Sequence, residues 1–176
     1  GFLYCRRSWA DRLRPVSLAR FGVDLDQAHE AAKGGDSYNL MAGARRFDLG
    51  NYNYPAAMAC AKSLEIIATV GTKVIESHVT ALAHRLAQGL FDLGLPVAGG
   101  APGPHLGSIV SVGELGAKGH GTADDPLINS LHQHLTKNGV KLSVRQGMLR
   151  MALHLYNTDD DISRVLDLTA QWAKSA

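Results

Sequence analysis

Arg150 is the residue whose type and position in this chain point most clearly to chemistry. Apolar and polar residues alternate along residues 149–155, as in a β-strand with one buried side. Arg150 lies on the side opposite Leu149 and Met151, where a guanidinium can hold a carboxylate through two parallel hydrogen bonds. A solvated or ion-paired arginine on an open sheet face fits the same pattern, so both interpretations stay open. Arg145, at the end of the preceding predicted strand, is a less well placed candidate.

The polar segment 45–55 is a second candidate site, because it stands directly before a predicted helix. It carries Arg45, Arg46 and Gly50, and Pro55 suits the first turn of a helix. Backbone N–H groups at helix N-termini attract phosphates, so the segment could contact one. A plain capping loop explains the same residues.

Other catalytic and binding motifs are not supported. The eight histidines are scattered, and His132 and His134 would point to different sides of a predicted helix, so no metal site is expected. The glycine-rich stretch 116–122 does not match a P-loop. No serine stands in a G-x-S-x-G context, and neither Cys5 nor Cys60 has a motif around it.

Composition sets the class of protein. The chain has 176 residues, a net charge of +2 and 45% hydrophobic residues, which is typical of a globular protein. No basic stripe indicates nucleic acid as a partner, and no apolar run reaches the length needed to span a membrane. Two distant cysteines fit a reducing, cytoplasmic compartment.

Apolar periodicity predicts the elements that must position these residues. A long helical region begins at Pro55, with a break at Gly71 and an end at Gly94. Its apolar stripe consists of Leu64, Ile67, Gly71, Ile75, Val79, Leu82, Leu86 and Leu90. Residues from about 95 onward predict the order strand, strand, helix, strand, strand, helix.

Local signals refine this second half of the chain. The predicted strands cover residues 95–99, 108–112, 140–144 and 149–155, and Gln146-Gly147 makes a hairpin turn. Asp125-Pro126 starts one helix, with Leu127, Leu131 and Leu135 as its buried face, and Asn138-Gly139 ends it. Asn157 or Thr158 caps the last helix. The pattern predicts an α+β fold with a mostly antiparallel sheet and helices on one face.

The first half of the chain gives weaker signals. Residues 1–6 are aromatic and apolar, which predicts a buried strand, and residues 8–13 predict one or two helical turns. Residues 16–53 show no clear periodicity, which is typical of a functional loop. Because a natural chain rarely begins inside a strand, we expect Gly1 to be a truncation point.

Four segments resemble, in order, the class V aminotransferase family, which includes cysteine desulfurases, selenocysteine lyases and isopenicillin-N-epimerase-like enzymes. Gly1-Phe-Leu-Tyr-Cys-Arg6 is similar to the strand after the family's lysine-bearing G-P-x-G-x-G-F-L-Y stretch. Arg45-Arg-Phe-Asp-Leu-Gly-Asn51 resembles R-R-F-E-x-G-T, and residues 70–78 resemble a helix that bears a glycine, an isoleucine and a histidine. Residues 149–162 resemble the closing signature R-x-S-x-H-x-Y-N-T-x-E-D-I.

The resemblance implies a fold-type-I homodimer that uses pyridoxal phosphate on an amino-acid substrate. Arg150 would bind the substrate carboxylate. Gly50 and Asn51 would reach the cofactor phosphate of the partner subunit, although Asn51 replaces the family's threonine. The Schiff-base lysine would lie before Gly1, so the chain alone is expected to be inactive. The absence of a mobile-loop cysteine before Arg150 favours a transaminase, epimerase or lyase over a desulfurase.

By the same resemblance, residues 1–54 would be the tail of the large cofactor domain, residues 55–93 connecting helices, and residues 94–176 the small domain. The alternative is a non-catalytic module that binds a partner or dimerises through exposed helices. The sequence does not name the substrate.

Overall fold

The computed structural model describes residues 2–24, 38–116 and 121–175. The chain forms two compact units, Gly1–Lys62 and Ser63–Ala176. The predicted division into a large-domain tail, connecting helices and a small domain stays a prediction. No helix in the described ranges is long and apolar enough to cross a membrane.

The first unit is built from short elements. Helix α1 (Arg7–Ala10) is followed by a 3-10 turn (Arg20–Gly22), and strands β1 (Val23–Asp24) and β2 (Asn39–Leu40) pair antiparallel. A second 3-10 turn covers Gly43–Phe47. The predicted helical turn is confirmed, whereas residues 25–37 of the long predicted loop lie outside the described residues.

The buried strand predicted at the start of the chain is wrong. Residues 2–6 form no regular element, and Phe2, Leu3 and Tyr4 are each more than two thirds exposed, at 74%, 69% and 80%. A strand needs a neighbour to pair its backbone groups and cover its side chains. No strand in the described part of the chain pairs with these residues.

Two long helices follow, and their predicted boundaries are confirmed. Helix α2 (Tyr54–Val70) starts beside Asn53, whose side-chain oxygen accepts a hydrogen bond of 3.1 Å from the amide of Ala56. Gly71, at φ 89°, separates it from α3 (Thr72–Asp92). Gly94, at φ 80°, ends α3 in the left-handed conformation that glycine adopts at little cost.

The predicted apolar stripe is buried in α3 and not in α2. Val79, Leu82, Leu86 and Leu90 of α3 lie in the core, but α2 contributes no buried residue and Leu64 is 49% exposed. The predicted helical spacing therefore holds in α2, but its apolar residues are not buried within the described residues. Periodicity shows which side of a helix is apolar, but a partner surface must exist to bury it.

The second unit contains a three-stranded antiparallel sheet in the order β3-β5-β4. Its strands are β3 (Ile109–Val112), β4 (Ser143–Arg145) and β5 (Met148–Ala152). Gln146 and Gly147 both have positive φ, 50° and 83°, as the tight hairpin between β4 and β5 requires. The strand predicted at 95–99 is reduced to a single bridge between Val97 and Val112.

Two helices complete the second unit. Helix α4 (Pro126–Lys137) begins at Asp125, whose carboxylate accepts from the amide of Leu127 at 2.8 Å, and α5 runs over Asp159–Ser175. Leu127 is 47% exposed and Ile128 is buried in its place, so one residue of the predicted face of α4 is wrong. The buried face consists of Ile128, Leu131 and Leu135, at spacings of three and four residues.

The hydrophobic core joins one face of the sheet to helices α3, α4 and α5. Its buried sheet residues are Val110, Val112, Val144, Leu149 and Met151. They alternate with the residues of the opposite face, as the pleat of a strand requires. The predicted α+β fold, with its antiparallel sheet and helices on one face, is confirmed.

Candidate functional site

Arg150 occupies the middle position of the central strand, β5. Its cross-strand neighbours are Ser111 of β3 and Ser143 of β4, which lie on the same face of the sheet. That face is opposite the core, because the adjacent residues Leu149 and Met151 are buried. The rigid three-stranded sheet thus fixes where the arginine leaves the backbone.

The Arg150 side chain is half-buried. Within the described ranges its guanidinium makes no hydrogen bond and no ion pair. The three strands of the sheet also contain no acidic residue that could neutralise it. An arginine with free donors on a fixed strand can bind an anion, and its planar fork suits a carboxylate.

The turn that follows β5 is held by its own side chains. The Asn157 side-chain oxygen accepts from the amide of His154 at 2.9 Å, and its amide donates to the Asp161 carboxylate at 3.3 Å. The same carboxylate accepts from the backbone amide of Thr158 at 3.0 Å, while the Thr158 hydroxyl accepts from the amide of Asp161 at 3.4 Å. This reciprocal pair is a capping box at the start of α5.

The capping hydrogen bonds favour the charged form of Asp161. The backbone amide of Thr158 and then the side chain of Asn157 lower the pKa of this carboxyl below its usual value. Both residues proposed from the sequence as caps take part: Thr158 occupies the cap position, and Asn157 supports it from one residue earlier.

Helix α3 attaches to this turn through two side chains. The His78 ring nitrogen Nε2 lies 2.9 Å from the carbonyl oxygen of Asn157, to which it donates when protonated. Arg85 donates to the carbonyl and carboxylate of Asp159, at 2.9 and 2.6 Å, and to the Ser163 hydroxyl at 2.7 Å. The role of Arg85 was not expected from the sequence, since no spacing rule links residues more than 70 positions apart.

A cavity of about 370 Å³ lies beside the end of β5. Its apolar lining comes from Ile67, Ile75, Val79 and Leu153, and its polar lining includes His154 and Glu76. The His154 ring stacks on Tyr156, with ring centroids 5.1 Å apart and planes inclined by 25°. The cavity and Arg150 both belong to the second unit.

Gly50 and Asn51 lie in the first unit, in the loop before α2. Asn51 is exposed, and a Cβ atom added to Gly50 would meet no atom within 4 Å. Next to them the Tyr52 hydroxyl donates to the Asp48 carboxylate at 2.8 Å, and this hydrogen bond raises the pKa of Tyr52. The loop is accessible to a ligand, and the nearby Asp48 carboxylate already accepts a hydrogen bond from the Tyr52 hydroxyl.

Arg46 shows that the double-arginine motif contains a structural residue. Its guanidinium is buried and donates to the carbonyls of Met41, Asp11 and Leu13 and, at 2.8 Å, to the Asp11 carboxylate. The Asp11 carboxylate also accepts from the amide of Gly43 at 2.9 Å. Arg46 therefore holds the 3-10 turn against α1, whereas its neighbour Arg45 is exposed.

No cluster of three or more histidine, cysteine or acidic side chains suited to a metal ion occurs in the described part of the chain.

The chain is similar to a curated aminotransferase over most of its own length. No protein-family model matches the chain. The uncharacterized aminotransferase YcbU of Bacillus subtilis (strain 168) is 26% identical over 169 residues, which cover 95% of this chain and 40% of the relative. The chain thus spans about two fifths of the length of this relative.

Solved structures agree with the fold. A cysteine desulfurase from Thermococcus onnurineus NA1 aligns with a TM-score of 0.68 at 20% identity, over 98% of this chain and 42% of its own. The cysteine desulfurase CsdA of Escherichia coli gives 0.70 at 16% identity, over 97% and 41%. A variant of the cystine C–S lyase C-DES, with glycine covalently linked to its PLP cofactor, gives 0.71 at 16% identity, over 97% and 40%.

At these identities the structural matches establish the fold, and the curated relative agrees with the resemblance found in the sequence. The chain has the fold of the C-terminal part of fold-type-I pyridoxal-phosphate enzymes, and its resemblance to the class V aminotransferase family is confirmed.

Proposed function

We propose that this chain is part of a pyridoxal-phosphate enzyme that acts at the α-carbon of an amino acid, and that Arg150 binds the substrate carboxylate. The observation that carries the proposal is a half-buried guanidinium on a central strand with no partner in the described ranges. A paired carboxylate would supply the two acceptors that its planar fork needs.

The loop before α2 fits the phosphate of the cofactor. Within the described residues, the backbone amides of Gly50 and Asn51 donate no hydrogen bond, and the loop leads into the N-terminus of a 17-residue helix. Both residues would contact the phosphate, Asn51 through its side-chain amide in place of the family's threonine. When bound, pyridoxal phosphate withdraws electrons from the substrate's α-carbon.

The chain's own contribution is positioning. Arg150 fixes the substrate carboxylate, and a fixed carboxylate orients the bonds around the α-carbon. His78 and Arg85 hold the turn after β5, so that the strand bearing Arg150 ends at a defined place. A reaction geometry set in this way depends on rigid elements more than on loops.

The reaction belongs to one of three classes in this proposal: transamination, epimerisation or elimination. A desulfurase is disfavoured because residues 94–150 contain no cysteine that could accept sulfur. The cysteine-desulfurase names belong to neighbours of 20% identity or less, and those likenesses concern the fold.

We also propose that the whole protein is a homodimer. Helix α2 supports this proposal, because Met58, Ile66 and Val70, which fall on one side of the helix at about 3.6 residues per turn, expose between 42% and 74% of their surface. An apolar helix face of this kind is typical of an interaction surface.

The function is tested on the enzyme encoded by the complete reading frame that contains this chain. Arg150→Ala should raise KM for an amino-acid substrate at least tenfold, since a charge-assisted hydrogen-bonded pair contributes about 1.5–3 kcal/mol. Affinity for pyridoxal phosphate, measured by fluorescence titration, should change less than twofold. Arg145→Ala, on the same hairpin, serves as the matched control.

Equal losses of substrate and cofactor affinity in Arg150→Ala would contradict the assigned role. Mixing this complete wild-type enzyme with pyridoxal phosphate should produce visible absorbance of the bound cofactor. If that absorbance does not appear, the enzyme proposal as a whole is contradicted.

A further inference from the structure

The two residues beside Arg150 on the open face of the sheet are both serines. Ser111 lies opposite Arg150 on β3 and Ser143 lies opposite it on β4, so one row crosses all three strands. Neither serine hydroxyl makes a hydrogen bond within the described part of the chain. The row thus combines one guanidinium and two hydroxyls whose donors are unused.

The surroundings of this row leave room for a ligand. Both serines are half-buried, and the next residue of β5 on the same face is Ala152, which is small and exposed. Arg150 is half-buried and has no polar partner in the described ranges, so neighbouring atoms cover part of its side chain. A ligand held close to the sheet by this guanidinium would be within reach of short side chains.

We propose that the hydroxyls of Ser111 and Ser143 donate hydrogen bonds to the carboxylate that Arg150 binds, which makes them specificity-determining residues of that site. This inference rests on the proposed role of Arg150. A carboxylate has about four lone-pair sites, of which a bidentate arginine occupies two. Two sites remain, and unfilled acceptors on a partly desolvated anion weaken its binding.

The geometry of a sheet fits this arrangement. Neighbouring strands lie about 4.8 Å apart, so the two serines flank the arginine at about equal spacing on either side. The strands themselves supply no acidic residue that would repel an anion or compete for the guanidinium.

The test is a titration of the whole chain with sodium acetate, followed by NMR of the backbone amides and of the Arg150 side-chain Nε–H. Sodium chloride at equal ionic strength separates a specific site from screening of charge. We expect saturable shifts at Ser111, Arg150 and Ser143 in the wild type. In the double variant Ser111→Ala/Ser143→Ala the apparent dissociation constant should rise about fivefold or more, since each lost hydrogen bond contributes about 0.5–1.5 kcal/mol.

The double variant Ser111→Thr/Ser143→Thr distinguishes the loss of the hydroxyl donors from a disturbance of the strands. Threonine keeps the hydroxyl and suits a strand, so acetate affinity should return to within about twofold of the wild type. Ser77→Ala, on the exposed face of α3, should leave affinity unchanged. Failure of the threonine variant to restore affinity overturns the proposed donor role.

The outcomes separate this inference from the proposed function. If Arg150→Ala abolishes the saturable shifts and the serine-to-alanine variant leaves the affinity unchanged, the serine role is wrong and the arginine role stands. If the wild type shows no saturable shift with acetate, both the serine and the arginine roles are overturned.

Discussion

Arg46 and Arg150 differ in whether their guanidinium groups have hydrogen-bond partners in the described structure. Arg46 is buried and uses all three guanidinium nitrogens on carbonyls and on Asp11, so its charge is neutralised within the fold. Arg150 is half-buried and has no partner in the described ranges. A partly desolvated cation without a partner costs free energy, and binding an anion offsets that cost. The difference gives Arg46 a structural role and supports the binding role that we propose for Arg150.

The role of Arg46 predicts a local loss of stability. Arg46→Ala should lower the free energy of opening of the first unit by about 2 kcal/mol, because three carbonyls and a carboxylate lose a donor. Hydrogen exchange of the Gly43 amide, which donates to Asp11, reports the opening directly. Arg45→Ala is the matched control, and an equal effect there would show that position 46 has no special role.

Asp161 predicts a dependence of stability on pH. Its pKa is lowered in the folded chain by the hydrogen bonds of the capping box, so it stabilises the fold above its unfolded pKa. That contribution is lost as the pH falls from the unfolded value through the depressed folded value. Urea unfolding of the wild type and Asp161→Asn should therefore differ at pH 6 and converge below the folded pKa.

Asp160→Asn is the control for this titration. Asp160 stands in the same helical turn but accepts none of the capping hydrogen bonds in the described structure. A difference from the wild type that persists unchanged into strong acid would argue against the capping role of Asp161.

The boundaries of helices and the position of the hairpin turn were predicted correctly, because each depends on one or two residues and their local contacts. Gly71, Gly94 and Asp125 each mark a helix boundary, and the Gln146-Gly147 turn joins two strands as expected. Burial was harder to predict, because it depends on what lies opposite an element. Leu64 and Phe2 are exposed for this reason, although their local patterns are apolar.

The hairpin turn between β4 and β5 predicts that two glycines with the same φ differ in how much stability an alanine substitution costs. Gly147 and Gly139 share a φ of 83°, but a Cβ at Gly147 would lie 2.8 Å from the amide nitrogen of Gly116, whereas at Gly139 its nearest atom would be 3.9 Å away. Gly139→Ala should cost about 1–2 kcal/mol of backbone strain. Gly147→Ala should cost at least twice as much in urea unfolding, because backbone atoms cannot move aside cheaply. Equal costs would show that the close approach is irrelevant.

On the scale of the whole molecule, the sequence predicted the α+β fold, which the structure confirms, and a resemblance to a known family, with which the curated aminotransferase relative agrees. The roles of Gly50, Asn51 and Arg150 remain predictions, since a motif indicates a contact only when the ligand and the neighbouring chain segments are present. His78 was noticed as part of a family-like helix, but its contact with Asn157 joins residues 79 positions apart and needed the fold.

The exposed side of α2 predicts self-association. Sedimentation of the chain should show a species heavier than the 18.8 kDa monomer as concentration rises. Ile66→Lys/Val70→Lys, which places two charges on that side, should shift the equilibrium towards monomer at least tenfold. Gln133→Lys on α4 is the control, and a wild type that stays monomeric at every concentration would contradict the dimer proposal for α2.

The capping turn after β5 has a consequence for how such chains are recognised. Asn157, Thr158 and Asp161 coincide with letters of the closing signature, and in this chain they build the bend after β5 and start helix α5. A chain that keeps these residues can therefore keep the bend and the helix start whether or not it binds a ligand. If the proposed function holds, Arg150 is the residue in that stretch whose loss would leave the fold intact and remove carboxylate binding.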